Sequence, residues 1–397
     1  MTEPRTDTKA ELIRRPTIDT IQALRFLAAL IVVLDHARFS FIEGAQGDRA
    51  QSIFPFFNGR FGVDIFFILS GFIMVYISSG GDRWRVLPHR FMLDRLIRIV
   101  PLYWLTTLAY MILAVVTAKG GLYPFSLDEV FKSFLFIPYQ NHEYSNIQPV
   151  LAQGWTLNYE IFFYVIFAIL MMFSRKMFPY TITLIFISLA TLGAAWSFLS
   201  DGPMAIIGHG VQQHWVVPRF YLSPIILQFL VGAIIAMLFE APSVSKWRLQ
   251  GGFWTSLAAC GVGIAIMILV FNLADRGTVA MEIMEFGFAA IAVLCAIAFK
   301  APFARDAVSR LLVKLGNASY SLYLTHFHVL FIASWLWKHA VHGIVAPGVF
   351  ALLATAASCL VSLASYRLIE RPVTARLHQW FTPTGNRKLA IPEPAIG

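Results

Sequence analysis

Apolar residues along the chain are grouped into stretches of about twenty, separated by short polar segments. An α-helix of this length crosses about 30 Å of hydrocarbon and satisfies its own backbone hydrogen bonds there. With 58% hydrophobic and 13% charged residues among 397, the chain is far from the roughly one-quarter charged residues of soluble domains. We therefore predict an all-α integral membrane protein with about ten transmembrane helices. They are expected near residues 19–37, 61–80, 97–118, 154–173, 177–199, 219–239, 252–274, 278–299, 319–338 and 345–368.

The distribution of Lys and Arg predicts how these helices are oriented. If both termini lie in the cytosol, 22 basic residues fall on the cytosolic side and eight on the opposite side, with Arg25 inside the first helix. Cytosolic loops of membrane proteins carry the excess of Lys and Arg. We therefore expect both termini in the cytosol and a multi-pass protein of the bacterial inner membrane.

The net charge of +9 does not require a nucleic acid partner, because basic loops facing anionic lipid account for it. Without repeats or low-complexity tracts, the chain divides into a cytosolic N-terminal tail (1–17), one membrane domain (18–372) and a cytosolic C-terminal tail (373–397). The C-terminal tail is polar, and we expect it to be disordered. The three cysteines all fall inside predicted spans and are interpreted as structural.

Ionisable residues at membrane depth are the informative ones, since burying them costs about 2.5–3.5 kcal/mol on insertion scales and usually marks function. Arg25 and His36 are eleven residues apart, so they project from one face of the first helix, about 16 Å apart along its axis. Asp64 and Glu160 begin the second and fourth predicted spans, which both run inward. We therefore expect His36, Asp64 and Glu160 to form one cluster near the outer surface.

A second polar group is expected near the cytosolic surface. Arg95 and Arg98 lie three residues apart on one helical face, and guanidinium groups match phosphate oxygens well. Arg25 lies at a similar depth. A face of the ninth predicted span carries Ser319, Tyr323 and His326 at spacings of four and three residues, and we expect this face nearby.

Each signal also has a simpler interpretation. His36 alone is as readily a satisfied packing residue, Asp64 and Glu160 are candidates for paired structural acids, and Arg95 with Arg98 for anchors at the membrane surface. The functional interpretation depends on their convergence. A base with acids on one side is combined with phosphate-matching arginines on the other.

Five motifs together make the chain resemble the acyltransferase-3 family of integral membrane acyltransferases. They are "RFLAALIVVLDH" from Arg25 to His36, "GVDIFFILSGF" around Asp64, "RLIR" at 95–98, "GWTLNYEIFFY" at 154–164 and "SYSLYLTHFHV" from Ser319. They span residue 18 to about 372 in the family's order. The sequence around Glu160 looks most like that of the exopolysaccharide-modifying branch.

The resemblance implies transfer of an acyl group, often acetyl, from cytosolic acyl-CoA to a hydroxyl of an exopolysaccharide, lipopolysaccharide or other envelope glycan, with no metal ion. It implies that His36 is catalytic and that Arg25, Arg95 and Arg98 handle the donor. Some relatives carry a fused extracytoplasmic hydrolase-like domain. None is expected here, so this chain either completes transfer or passes the group to a partner, for which glycan-assembly proteins are candidates.

The chemistry of the residues agrees with this implication. A neutral imidazole can take the proton of a sugar hydroxyl, and a carboxylate can orient the ring, so His36 with Glu160 or Asp64 supplies a general base. Direct transfer and an acyl-imidazole intermediate on His36 both remain open. Arg95, Arg98 and Arg25 would hold the CoA phosphates, and Ser319, Tyr323 and His326 would line the donor site.

Two functions of other classes compete with this one. A proton-coupled transporter or flippase of a glycan or lipid-linked sugar would use the same intramembrane charges as a proton relay. It has no need of an Arg-x-x-Arg motif beside the cytosol. A noncatalytic assembly subunit would keep its function after His36→Ala.

Overall fold

The computed structural model describes most of the chain in one sequence of helices. The described residues are 17–43, 59–80, 83–117, 125–141, 147–201, 215–246, 248–273, 279–301, 303–341 and 345–381. Residues 1–16 of the predicted N-terminal tail and 382–397 of the predicted C-terminal tail lie outside them.

Helices dominate the described chain, and each of the ten predicted apolar stretches coincides with one. In chain order they are α1 Asp19–Arg38, α2 Gly59–Ser78, α3 Pro88–Thr117, α4 Leu127–Phe134, α5 Trp155–Leu170, α6 Phe178–Asp201, α7 Val216–Tyr221, α8 Ile226–Glu240, α9 Pro242–Ser245, α10 Phe253–Leu273, α11 Val279–Ile297, α12 Ala307–Asn317, α13 Ser319–Leu336, α14 Pro347–Ser365 and α15 Arg371–Phe381. Short helical turns of other types occupy Phe39–Glu43, Ala152–Gly154, Trp337–Val341 and Tyr366–Glu370.

Seven helices in the described residues are long and apolar enough to cross a membrane. They cover Asp19–Phe41, Gly59–Ser78, Pro88–Thr117, Phe178–Leu199, Val216–Glu240, Phe253–Val270 and Pro347–Phe381. The predicted helical membrane architecture is therefore confirmed. Ten spans and cytosolic termini remain predictions, because α5, α11 and α13 are helical without meeting the same criteria.

Two pairs of very short strands connect helices without forming a sheet layer. The antiparallel pair β1 (Ser79–Gly80) and β2 (Arg83–Trp84) joins α2 to α3. The parallel pair β3 (Leu249–Gly252) and β4 (Phe299–Ala301) lies before α10 and after α11. These short links hold the helix ends together beside the bundle.

Helices α1 and α2 form the centre of the bundle. Their spans are 72% and 78% buried, whereas those of α6 and α10 are 22% and 28% buried and present the apolar surface that lipid would cover. Helix α1 packs against α2, α12, α13 and α14. The polar side chains of α1 and α2 therefore face other helices.

Close approach between α2 and α8 depends on two glycines. A Cβ atom at Gly71 would lie 2.1 Å from the Phe229 carbonyl oxygen, and one at Gly232 would lie 1.9 Å from that of Ile68. Small residues at a crossing allow membrane helices to pack backbone to backbone. On the other side of α2, a Cβ atom at Gly62 would lie 2.4 Å from the Ala28 carbonyl oxygen of α1. Helix α2 is thus fixed between α1 and α8.

Residues 373–381, which the sequence assigns to a disordered tail, are helical. Helix α15 follows α14 and packs against α3. Its His378 places Nδ1 3.3 Å from Oδ1 of Asp94, which also lies 3.2 Å from Nε of Arg90. The contact of His378 with Asp94 thus joins α15 to α3.

Candidate active site

Three arginines from two helices meet at one cavity. Arg25 of α1 and Arg95 and Arg98 of α3 line a space of about 790 Å³ between α1, α2, α3, α5 and α13, part of which is open to solvent. The other lining residues are Val63, Phe66, Phe67, Leu69, Ser70, Ile73, Met74, Ile99, Thr156, Leu157, Glu160, Tyr164, Ser319, Tyr320 and Tyr323. The grouping of Arg25, Arg95, Arg98, Ser319 and Tyr323 expected from the sequence is present in the structure.

The guanidinium of Arg95 is buried and incompletely bonded. The residue is 6% exposed, and neither Nε nor Nη2 has a hydrogen-bond partner in the described part of the chain. Aromatic rings flank it, with the guanidinium carbon 5.4 Å from the centre of Phe91 and 5.7 Å from that of Tyr164. Because burying an unpaired charge is costly, these donors are candidates for binding an anion.

Two neighbours add hydrogen-bond donors to the cavity. Arg25 is also buried, and its Nη1 donates to Oε1 of Gln22 at 3.1 Å, one turn earlier on α1. Ser319, at the start of α13, is fully buried, and its Oγ has no hydrogen-bond partner in the described chain. Glu160 is the one carboxylate among the described lining residues. Positive charge therefore exceeds negative charge in this space.

Glu160 lies in the arginine cavity, so the expected cluster with His36 and Asp64 is wrong. It accepts hydrogen bonds from Ser70 Oγ at 3.0 Å and from Tyr164 OH at 3.2 Å. Ser70 lies six residues beyond Asp64 on α2, which corresponds to about 9 Å along the axis. Glu160 is therefore deeper than the sequence predicts.

The depth of Glu160 follows from where α5 begins. The residues before α5 pack inside the protein, and Gln153 Nε2 donates to the carbonyl oxygens of Leu324 at 3.1 Å and Tyr323 at 3.3 Å. A full-length span would begin at the membrane surface, whereas α5 has only 16 residues and begins in the interior. Glu160 moves inward with it.

Asp64 faces a different helix from His36. Gln228 Nε2 of α8 donates to Asp64 Oδ1 at 2.6 Å. Asp64, Ile68 and Gly71 share one face of α2 by their spacing, and that face packs on α8, whereas Gly62 packs on α1. The orientation of α2 therefore directs Asp64 away from the first helix.

The polar neighbour of His36 is His326. Nδ1 of His36 lies 3.3 Å from Nε2 of His326 on α13, and Phe327 packs its edge against the His36 ring at a centroid distance of 4.8 Å. His326 was expected among the donor-site residues with Ser319 and Tyr323. It is fully buried and lies beside His36 instead, because it is seven residues beyond Ser319 along α13.

The cavity does not reach His36. Its residues on that side are Phe66 and Tyr323, whose ring centres lie 6.0 Å apart. The Tyr323 ring lies 6.1 Å from that of His326, which in turn contacts His36. An open polar passage from the arginines to His36 is therefore interrupted by Tyr323 in this conformation.

The sequence does not predict several of the residues that line the cavity. Tyr164 is four residues beyond Glu160 and shares its face of α5, so helical spacing alone would have found it. Ser70 is the single polar side chain in the run "IFFILSGFI" at 65–73. Tyr320 donates from its hydroxyl to the Ile99 carbonyl oxygen at 2.7 Å, a contact that no local pattern indicates.

The described residues contain no group of three or more His, Cys, Asp and Glu side chains placed to hold a metal ion.

Comparison with known proteins identifies the family. Residues 18–367 match the acyltransferase-3 family model, described as an acyltransferase domain. The chain is 33% identical over 323 residues to the exopolysaccharide production protein ExoZ of Rhizobium meliloti, covering 80% of this chain and 90% of that protein. It is 25% identical to the putative membrane-bound transacylase BcsY of Komagataeibacter xylinus, covering 88% and 81%.

A third relative is longer than this chain. Identity to the O-acetyltransferase OatA of Staphylococcus aureus is 23%, over 89% of this chain but only 56% of that protein. No solved structure matches. The family match covers most of the chain, and the protein therefore belongs to the acyltransferase-3 family and is an O-acyltransferase.

Proposed function

We propose that the protein moves an acyl group, acetyl by family resemblance, from cytosolic acyl-CoA to a hydroxyl of an exopolysaccharide, lipopolysaccharide or other envelope glycan. The observation that carries the proposal is the buried guanidinium of Arg95, which has unbonded donors in a cavity shared with Arg25 and Arg98. The relatives ExoZ, an exopolysaccharide production protein, and OatA, an O-acetyltransferase, support a polysaccharide acceptor and an acetyl group.

The arginines are suited to the donor. CoA carries phosphates that cannot enter hydrocarbon, and guanidinium groups bind phosphate oxygens through charge-assisted hydrogen bonds. Arg25, Arg95 and Arg98 would hold this head, with the Ser319 hydroxyl as a further donor. With the termini in the cytosol, the cavity opens toward the compartment that contains acyl-CoA, and the protein lies in the bacterial inner membrane.

His36 is the proposed base. As the hydroxyl oxygen of the glycan attacks the thioester carbonyl carbon, the imidazole takes the hydroxyl proton. The carbon–sulfur bond then breaks, and the CoA thiolate takes that proton from the imidazolium to leave as the thiol. An acyl-imidazole on His36 is the alternative route, and its formation would release CoA before the acceptor binds.

The donor must pass Tyr323 to reach His36. Arg25 and His36 are eleven residues apart on α1, about 16 Å along the helix axis, a gap that the flexible pantetheine arm would bridge. Rotation of the Tyr323 ring away from Phe66 would join the cavity to the histidines. We therefore include this rotation as a step that precedes transfer.

The proposal is tested with protein in lipid nanodiscs, radiolabelled acetyl-CoA and the envelope glycan of the source cell. Transfer of label to glycan by the native protein and its loss in a folded His36→Ala variant are the expected results. Normal transfer by His36→Ala would refute the assignment of His36 as the base. Substrate counterflow across liposomes without thioester consumption would favour a transporter over the transferase.

A further inference from the structure

His36 and His326 form a pair that the proposed mechanism uses only in part. The pair lies between α1 and α13, where His326 is fully buried and His36 is partly buried. One hydrogen bond of 3.3 Å joins Nδ1 of His36 to Nε2 of His326. A neutral imidazole has one N–H and one lone pair, so the partners of each ring determine where its hydrogen lies.

The hydrogen of His326 is on Nδ1. This atom lies 3.1 Å from the carbonyl oxygen of Leu322, one turn earlier on α13. A carbonyl oxygen can only accept, so Nδ1 carries the hydrogen and donates it. A doubly protonated ring would be a fully buried cation with no carboxylate among its described hydrogen-bond partners, which is costly. Nε2 of His326 therefore holds a lone pair.

The tautomer of His36 follows from that of His326. The bond between the rings needs one hydrogen, and since His326 Nε2 holds a lone pair, the hydrogen is on His36 Nδ1. Nε2 of His36 is thereby left with the lone pair.

We infer that His326 is a positioning residue that holds His36 in the tautomer whose Nε2 acts on the substrate. This inference rests on the proposed function, in which His36 takes the hydroxyl proton. Nε2 accepts that proton as the new carbon–oxygen bond forms, and it returns the proton to the CoA thiolate after the carbon–sulfur bond breaks. Nδ1 keeps its hydrogen throughout.

This pair replaces the carboxylate that orients histidine in Ser-His-Asp triads. An imidazole supplies the same acceptor for Nδ1–H without a negative charge. The chain of donors runs from His36 to His326 to the Leu322 carbonyl oxygen. Phe327 packs against the His36 ring and limits its rotation.

Kinetics of three variants test the role. In His326→Gln the amide oxygen can take the place of Nε2 and accept from His36, whereas His326→Leu removes the acceptor. General acid–base catalysis contributes about 10²–10⁴-fold, and we expect His326→Leu to lower kcat by about 10- to 100-fold with little change in KM for acyl-CoA. His326→Gln should recover most of this loss. His339→Gln is the control, because exposed His339 makes the same kind of bond to the carbonyl oxygen one turn earlier.

Nitrogen-15 NMR of histidine-labelled protein in lipid tests the tautomer without any turnover. The signals lost in His36→Gln identify His36, and they should show a protonated Nδ1 and an unprotonated Nε2. In His326→Leu both tautomers should appear. A protonated Nε2 in the native protein, with an inactive His36→Ala, would overturn this inference alone. An active His36→Ala would overturn the proposed function and this inference together.

Discussion

The hydroxyl oxygens of Tyr323 and Thr156 lie 2.9 Å apart in the wall of the arginine cavity. The Tyr323 hydroxyl also donates to the Gln153 carbonyl oxygen at 3.1 Å. One side chain thus joins α13 to the start of α5 and separates the proposed donor site from the proposed base. The barrier is a single ring, so removing that ring is expected to connect the two sites.

Tyr323→Ala should increase hydrolysis of acyl-CoA in the absence of glycan. Removing the ring joins the cavity to His36, and water then reaches the thioester beside the base before an acceptor is bound. Release of free CoA thiol measures this reaction. The control is Tyr323→Phe, which keeps the ring and should leave hydrolysis near the native rate. Equal hydrolysis in Tyr323→Ala and the native protein would contradict a separating role.

Arg95→Met should weaken acyl-CoA binding and stabilise the unliganded protein. Hydrogen bonds to charged groups contribute about 1.5–3 kcal/mol, which corresponds to about 10- to 150-fold in Kd. The same substitution removes a buried charge with unbonded donors, so thermal unfolding without ligand should occur at a higher temperature. Calorimetric titration and thermal unfolding in detergent measure the two effects.

Arg90→Met is the matched control for Arg95. Arg90 lies five residues earlier on α3, is paired with Asp94 and is not among the residues that line the cavity. Its loss removes the arginine partner of Asp94, whose side chain is 2% exposed, so we expect lower stability and unchanged acyl-CoA binding. If both variants changed acyl-CoA affinity and thermal stability in the same direction, that result would argue against a phosphate site at Arg95.

Glu160→Gln should bind CoA more tightly than the native protein. The amide keeps an acceptor for Ser70 and Tyr164 and removes the negative charge that faces the arginines. Glu160→Ala should lose stability, because it leaves Ser70 without this acceptor. Equilibrium binding of desulfo-CoA, which cannot react, separates affinity from turnover. A higher Kd in Glu160→Gln would show that the carboxylate holds the arginines in their binding arrangement.

Gly232→Ala should destabilise the bundle, although alanine favours helices. The added Cβ would lie 1.9 Å from the Ile68 carbonyl oxygen, so α2 and α8 must separate, and overpacking costs about 1–3 kcal/mol or more. Gly261→Ala is the control, because nothing lies within 4 Å of a Cβ at that position in α10. There we expect a gain of about 0.5–1 kcal/mol from helix propensity. Unfolding temperatures in detergent compare the two, and a stable Gly232→Ala would contradict close backbone packing.

The positions of the helices could be predicted from the sequence because apolar stretches of span length have few alternatives in hydrocarbon. The group of Arg25, Arg95 and Arg98 could be predicted as well, since all three lie near the same end of α1 and α3. The rotation of each helix about its own axis could not be predicted from the sequence. Asp64 turns to α8 because of packing at Gly71 and Gly232, which a single helix does not reveal.

The depth of a side chain within the membrane is the second feature that the sequence does not predict. Span length of its apolar stretch predicts Glu160 at the outer surface, whereas α5 has only 16 residues and begins inside the protein. The pairing of His36 with His326 joins residues 290 positions apart, and only the packing of α1 on α13 brings them together. Helix α15 is not predicted, because no local pattern indicates the contact of its His378 with Asp94 of α3.

The internal start of α5 has a consequence for biogenesis. The Gln153 amide is bonded to backbone carbonyls of α13, 170 and 171 residues later in the chain. At 16 residues, α5 is about 24 Å long, shorter than the roughly 30 Å hydrocarbon layer. A ribosome that has released α5 to the insertion machinery must still synthesise nearly half of the protein before the partner of Gln153 emerges, so the arginine cavity is completed only after α13 has been made.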